Sequence, residues 1–135
     1  MRHDTHFSLD EARDLLDELA PKVDEILELR HDLDAKGFDI TTGEFVSEPD
    51  ESQRHEARQE IERVQQLLDE IHETGALFKD PRFELGMLDF PHLREQNGDG
   101  DGEEVYLCWM HGEDDIKYWH PVETGMSGRE SIETL

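Results

Sequence analysis

The residues best equipped for chemistry crowd into the last third of the chain. Cys108 and His111 stand in a C-x-x-H arrangement, and His120 follows nine residues on. That spacing is half of a structural zinc site, which takes four ligands, usually as two pairs. The chain holds one cysteine, so no second pair exists. His120, His92 or Asp89 are the groups that would complete a mixed site if the fold gathered them. From sequence, Cys108 reads as a small buried hydrophobe, with no metal bound and with Cys108, His111 and His120 as the fallback ligands. A Cys108–His120 nucleophile and base would need a setting that stabilises a thiolate. The surrounding charge is strongly negative and works against one.

A second set is Trp119, His120, Glu123, Gly125, Gly128 and Arg129. Gly125-x-x-Gly128-Arg129 follows a predicted strand, and glycines let backbone approach a ligand closely. Arg129 is one of few cations. It could grip a carboxylate or phosphate in bidentate fashion, with Trp119 as an apolar wall. This set would take a small anionic ligand. The favoured alternative is an internal pair, Arg129–Glu123 or Arg129–Asp89, that tacks the tail to the sheet.

The elements that must position these groups are written in the rest of the chain. Its 135 residues fit one domain with one modest core. There are 36 acidic and 13 basic residues, a formal charge of −23. Nucleic acid and anionic membrane surfaces are excluded as partners, because both need clustered cations. Low hydrophobicity with high charge is also the disorder signature, but the apolar residues here are periodic. The composition reads instead as that of a halophile, since molar salt shortens the Debye length to roughly 3 Å and screens self-repulsion. No apolar run of transmembrane length occurs and no signal-peptide core opens the chain, so a soluble, cytoplasmic protein is expected.

Ser8 and Glu11 form a capping box with Phe7 as its staple. Leu9, Ala12, Leu16, Leu19, Val23, Ile26 and Leu33 then draw one helical stripe, widened by Leu15, Leu27 and Leu29 and ended by Gly37. Pro21 predicts a kink near Ala20 or two helices in line. Residues 39–46 read as a small hairpin or as a loop that folds Phe38 and Phe45 onto the helices. A second helix starts at Asp50 or Ser52, carries Ala57, Ile61, Val64, Leu68 and Ile71, and ends at Gly75. The short connection predicts an antiparallel hairpin.

After Ala76 the period changes. Residues 85–90 read as a strand closed by Pro91. Residues 96–102 form a Gly-Asp loop that lacks the flanking helices of a calcium site. Residues 105–109 and 116–119 read as two more strands around a turn at Gly112. Period two puts Val105, Leu107 and Trp109 on one face and Tyr106, Cys108 and Met110 on the other. Neither face is polar, so one is expected to meet the helices and the other something else, such as a second subunit.

The pieces Phe7-Ser8-Leu9-Asp10-Glu11-Ala12, Leu15-Leu16, Gly75, Lys79-Asp80, Gly86-Met87-Leu88-Asp89-Phe90-Pro91, Leu107-Cys108-Trp109, Gly112-Glu113, Tyr118-Trp119-His120, Gly125 and Gly128-Arg129 span most of the chain. Together they resemble DUF2203, a bacterial and archaeal family of small uncharacterised proteins. The resemblance implies an α+β shape and supplies no activity. His111 and the Gly-Asp repeat near Asp99 look particular to this chain.

The expected fold is α+β: a long antiparallel helical hairpin (residues 8–75) packed on a three-stranded antiparallel β-meander (residues 76–129), with a tail at residues 130–135, all one domain. Two functions compete. One is a non-enzymatic module that self-associates, as a homodimer, or binds a protein partner. The other is a small-ligand or metal site at Trp119, His120 and Arg129 near Cys108. The first requires a flat exposed apolar patch and the second a concave site. No motif names a cofactor.

Overall fold

The computed structural model describes residues 3–80, 82–94 and 102–135. The Gly-Asp loop, apart from Gly102, lies outside the described residues, as does Pro81 of the turn that follows Lys79-Asp80.

Helix α1 spans Leu9–Ala35 and helix α2 spans Glu51–Glu73. Both hydrogen bonds of the predicted capping box at Ser8 and Glu11 are present, at 3.1 and 2.9 Å. α2 opens on a second box, Asp50 with Gln53, so Asp50 rather than Ser52 is the cap. Gly37 and Gly75 follow the helix ends at φ +79° and +98°, where a side chain would be strained. Pro21 neither ends nor divides α1. Its ring deprives the Asp17 carbonyl of a donor, a cost of about 3 kcal/mol. Around it Leu16, Leu19, Val23 and Ile26 are buried, each stabilising by about 1.5–3 kcal/mol, which outweighs that loss. Ion pairs Lys22–Glu70, Glu25–Arg63 and Lys36–Glu60 link the helices, with positions rising along α1 as they fall along α2.

Strands β1 (Phe38–Asp39) and β2 (Glu44–Phe45) make the small hairpin between the helices. It also does what the loop reading required: Phe38 and Phe45 meet edge to face and pack with Leu33, Ala57 and Ile61.

The main sheet has five strands, not the three expected from sequence: β3 (Leu77–Phe78), β4 (Met87–Arg94), β5 (Glu103–Met110), β6 (Tyr118–Pro121) and β7 (Glu130–Ser131). They follow one another in sequence order, every neighbour antiparallel. The two added strands are edge pieces of two residues, too short to display an alternation. β4 also continues through Pro91, which sequence took as its end. The Pro91 carbonyl accepts from the Phe7 amide, 2.7 Å away. In an antiparallel strand a residue's nitrogen points to the same side as its carbonyl. The proline nitrogen therefore faces the edge beyond β3, and no ladder bond to β5 is lost.

One sheet face, with Leu88, Phe90, Val105, Leu107, Trp109 and Trp119, packs against Ala12, Leu16, Leu19, Val23, Val64, Leu67 and Ile71 of the helices. Ile116 joins this core as well. Strand alternation counted back from Trp119 would put Ile116 on the same side as His120, but β6 begins only at Tyr118 and the rule does not reach it. The other face carries Asp89, Tyr106, Cys108, Tyr118 and His120. Asp89, Tyr106, Cys108 and His120 are buried there within the chain itself.

Candidate functional site

Three adjacent strands deliver three different donor groups to one spot on the outer face. Asp89 of β4 pairs directly with Cys108 of β5. Cys108 pairs with Tyr118 of β6, and His120 lies two residues further on, opposite Tyr106. Residues two apart in a strand share a face, so the carboxylate, thiol and imidazole converge. One ligand atom from each lies within 4.8 Å of the others, and all three residues are buried.

His120 is held at both ring nitrogens. Nδ1 lies 2.8 Å from the Pro121 carbonyl, which can only accept, so Nδ1 carries a proton. Nε2 lies 3.0 Å from Asp89 Oδ1. Burial pushes the imidazole pKa down, but the hydrogen bond to Asp89 and its charge carry it above the ordinary 6.5. When the imidazole is protonated, both nitrogens donate and His120 forms a buried ion pair with Asp89. The Cys108 thiol moves the other way. Burial, then the Asp89 carboxylate, push it up to about 12, against an opposing pull from Arg129. A thiol held protonated in this way is no nucleophile near neutral pH. Together with the hydrogen bond of His120 to Asp89, this weighs against the Cys108–His120 hydrolase reading.

Arg129 borders the cluster. Its Nη2 donates to Glu113 Oε1 at 2.6 Å and approaches the Cys108 carbonyl at 3.4 Å. The guanidinium lies 4.1 Å from the centre of the Tyr118 ring. Glu113 is itself fixed, since its Oε1 accepts from the Met110 amide and its carbonyl from Trp109 Nε1.

The family model described as "Uncharacterized conserved protein (DUF2203)" matches residues 5–132. The chain belongs to the DUF2203 family. No curated protein and no solved structure matches it.

This DUF2203 chain brings together only part of what its sequence nominated. Cys108 and His120 meet, with Asp89 as their third member. His111 instead sits on the turn after β5 and reaches Asp24 of α1 at 2.8 Å. His92 Nδ1 is engaged by the Phe7 carbonyl. Trp119 points into the helix-side core, donates to Thr134 Oγ1 and is capped by Arg94, so it cannot wall a site with His120. Glu123 and Gly125 are exposed. Arg129 does pair internally, but with Glu113 rather than Glu123 or Asp89. Gly128 is needed because Thr124 lies where a Cβ would go, while Gly125 has open space. Asp89 entered the sequence reading as one of several completing groups and as an alternative partner for Arg129. The missing signal was the register that sets it opposite Cys108.

Proposed function

We propose that this DUF2203 protein binds one divalent metal ion of the zinc class through Asp89, Cys108 Sγ and His120 Nε2. The observation that carries the reading is the convergence of carboxylate oxygen, thiol sulfur and imidazole nitrogen within 4.8 Å on a buried face. A tetrahedral zinc, with bonds of about 2.0–2.3 Å, spaces its ligand atoms about 3.3–3.8 Å apart. Small rotamer shifts bridge that difference. The mixed N, S and O donor set suits zinc and its neighbours, whereas calcium and magnesium prefer oxygen alone.

Two further features support the reading. His120 Nδ1–H is anchored on a backbone carbonyl, the arrangement that orients a metal-bound imidazole and leaves Nε2 facing the ion. Charge also balances. With the imidazole protonated, the metal-free cluster holds one carboxylate, one imidazolium and one thiol, a net charge of zero. With a divalent ion it would hold carboxylate, thiolate and neutral imidazole, again zero. Exchanging two protons for one ion leaves no net charge buried, which keeps the desolvation cost low. Three protein ligands leave a fourth coordination position for water or a small anion.

Self-association of the helices, which the ion pairs support as an antiparallel hairpin, requires a contiguous exposed apolar face. Among the described residues the large exposed hydrophobics are Val46 and Leu85, in separate segments. The metal reading therefore has the stronger support. Native mass spectrometry after incubation with Zn²⁺ tests it. One retained ion per chain, lost in Asp89→Asn, Cys108→Ser and His120→Gln variants that remain folded by circular dichroism, supports the site. Zinc retained equally by all three variants would refute it.

A further inference from the structure

We infer that the segment before α1, residues 3–7, is the removable cover through which an ion reaches the buried cluster; this rests on the metal-binding reading above. Asp89 and His120 are each 2% exposed and Cys108 is 0% exposed, although they occupy the sheet face that the helices do not cover. An ion enters such a site only if something lifts.

The N-terminal segment is built to lift. It has no helix or strand of its own. It is joined at the open edge of β4 by the Phe7–Pro91 backbone bond, and it reaches over the outer face to β5 through side chains. His3 Nε2 lies 2.7 Å from the Tyr106 hydroxyl, and the two rings meet edge to face. His6 Nε2 lies 2.8 Å from Glu104 Oε2, which also accepts from the His3 amide. Tyr106 in turn lies against His120, with ring centres 5.3 Å apart. The strap thus presses on the cluster through one aromatic ring. Two cations also border this face, Lys79 over Tyr106 and Arg129 over Tyr118. Each adjoins backbone paired in the sheet, at β3 and β7. Phe7 anchors the strap, with its ring against Phe90 and its backbone on Pro91 and His92. From that anchor, residues 3–6 hold the outer face mainly by side-chain hydrogen bonds, which places them at the low-stability end of the molecule.

The lone cysteine supplies a readout that does not depend on metal. In the metal-free protein the rate at which a thiol reagent modifies Cys108 measures how often the face opens. The double variant His3→Ala/His6→Ala leaves Asp89, Cys108 and His120 in place. It is expected to raise that rate on the order of tenfold or more, the effect of losing one or two such hydrogen bonds. Val64→Ala, a cavity in the helix-side core, controls for general destabilisation and should raise it far less once the two variants are matched in stability. Equal rates in the parent and the strap variant, or equal acceleration in the control, would overturn the inference. In parallel, zinc transfer to a chelator should quicken in the strap variant with stoichiometry unchanged. A strap variant that no longer binds zinc would make His3 or His6 a ligand and would also overturn the cover role. If the parent binds no zinc, the metal reading fails by itself and the labelling rates still decide whether the strap covers the face.

Discussion

His120 Nε2 lies 3.0 Å from Asp89 Oδ1, with neither side chain more than 3% exposed. Such a pair is costly to break from one side, because the survivor is left buried and without its counter-charge. In chelated, metal-free buffer, Asp89→Ala and His120→Ala should each cost about 3–5 kcal/mol of stability. The double variant should cost less than their sum, with a coupling of about 0.5–3 kcal/mol. Urea unfolding of the four proteins gives the cycle; strict additivity would mean that the two groups do not act as a pair.

Gly128 and Gly125 look equivalent in sequence and are not so in the fold. A Cβ on Gly128 would meet Thr124 Oγ1 at 2.2 Å and Thr124 Cβ at 2.5 Å, whereas one on Gly125 meets nothing within 4 Å. Gly128→Ala is expected to destabilise by about 1–3 kcal/mol, the usual cost of overpacking. Gly125→Ala should be close to neutral. Comparing their thermal midpoints checks this, and a Gly125 variant as damaged as the Gly128 one would argue for a ligand contact at Gly125.

Arg129 ties the tail to the turn after β5. Arg129→Ala removes a charged hydrogen bond to Glu113 and the stack on Tyr118, at an expected cost of about 1.5–3 kcal/mol. Arg129→Lys should recover only part of this, because an ammonium supplies charge without the planar fork. Denaturant midpoints should fall in the order parent, Lys, Ala; an unchanged Ala variant would show that the pair contributes nothing.

The Glu25–Arg63 pair predicts a small acid effect. The hydrogen bond from Arg63, more than its charge, holds the Glu25 carboxyl below the ordinary 4.5. A folded-state pKa below the unfolded one means that the contribution is complete above pH 4.5 and is lost as pH falls through the folded value. Both side chains are 39% exposed, so solvent screening limits the contribution to under about 1 kcal/mol. Glu25→Gln should therefore lower stability slightly at pH 6 and leave it unchanged at the lowest pH where the protein stays folded. Paired urea titrations at the two pH values measure the difference, and an equal loss at both would assign the effect to packing.

The helices were legible in the sequence because their signals are local. Ser8 and Glu11 are three residues apart, and the stripe from Ala12 to Leu33 repeats every three or four. The facing of β5 was legible for the same reason, from Val105 to Met110. The strand count was not, since Leu77–Phe78 and Glu130–Ser131 become strands only by pairing with partners elsewhere. The site depends on the same long-range register. Cys108 and His111 are neighbours in sequence, but the turn at Gly112 sends His111 to Asp24. Asp89 and His120 are 31 residues apart and meet across β5. Trp119 and His120 are adjacent and therefore point to opposite faces, which the grouping by sequence proximity overlooked.

The most direct test of the metal centre is the absorption spectrum of the protein titrated with Co²⁺, which takes zinc sites and reports a bound thiolate by charge-transfer absorption in the near ultraviolet. The account predicts that band in the parent, saturating at one ion per chain, abolished by Cys108→Ser and weakened by His120→Gln. A flat spectrum at saturating Co²⁺, or a band that survives Cys108→Ser, would contradict it.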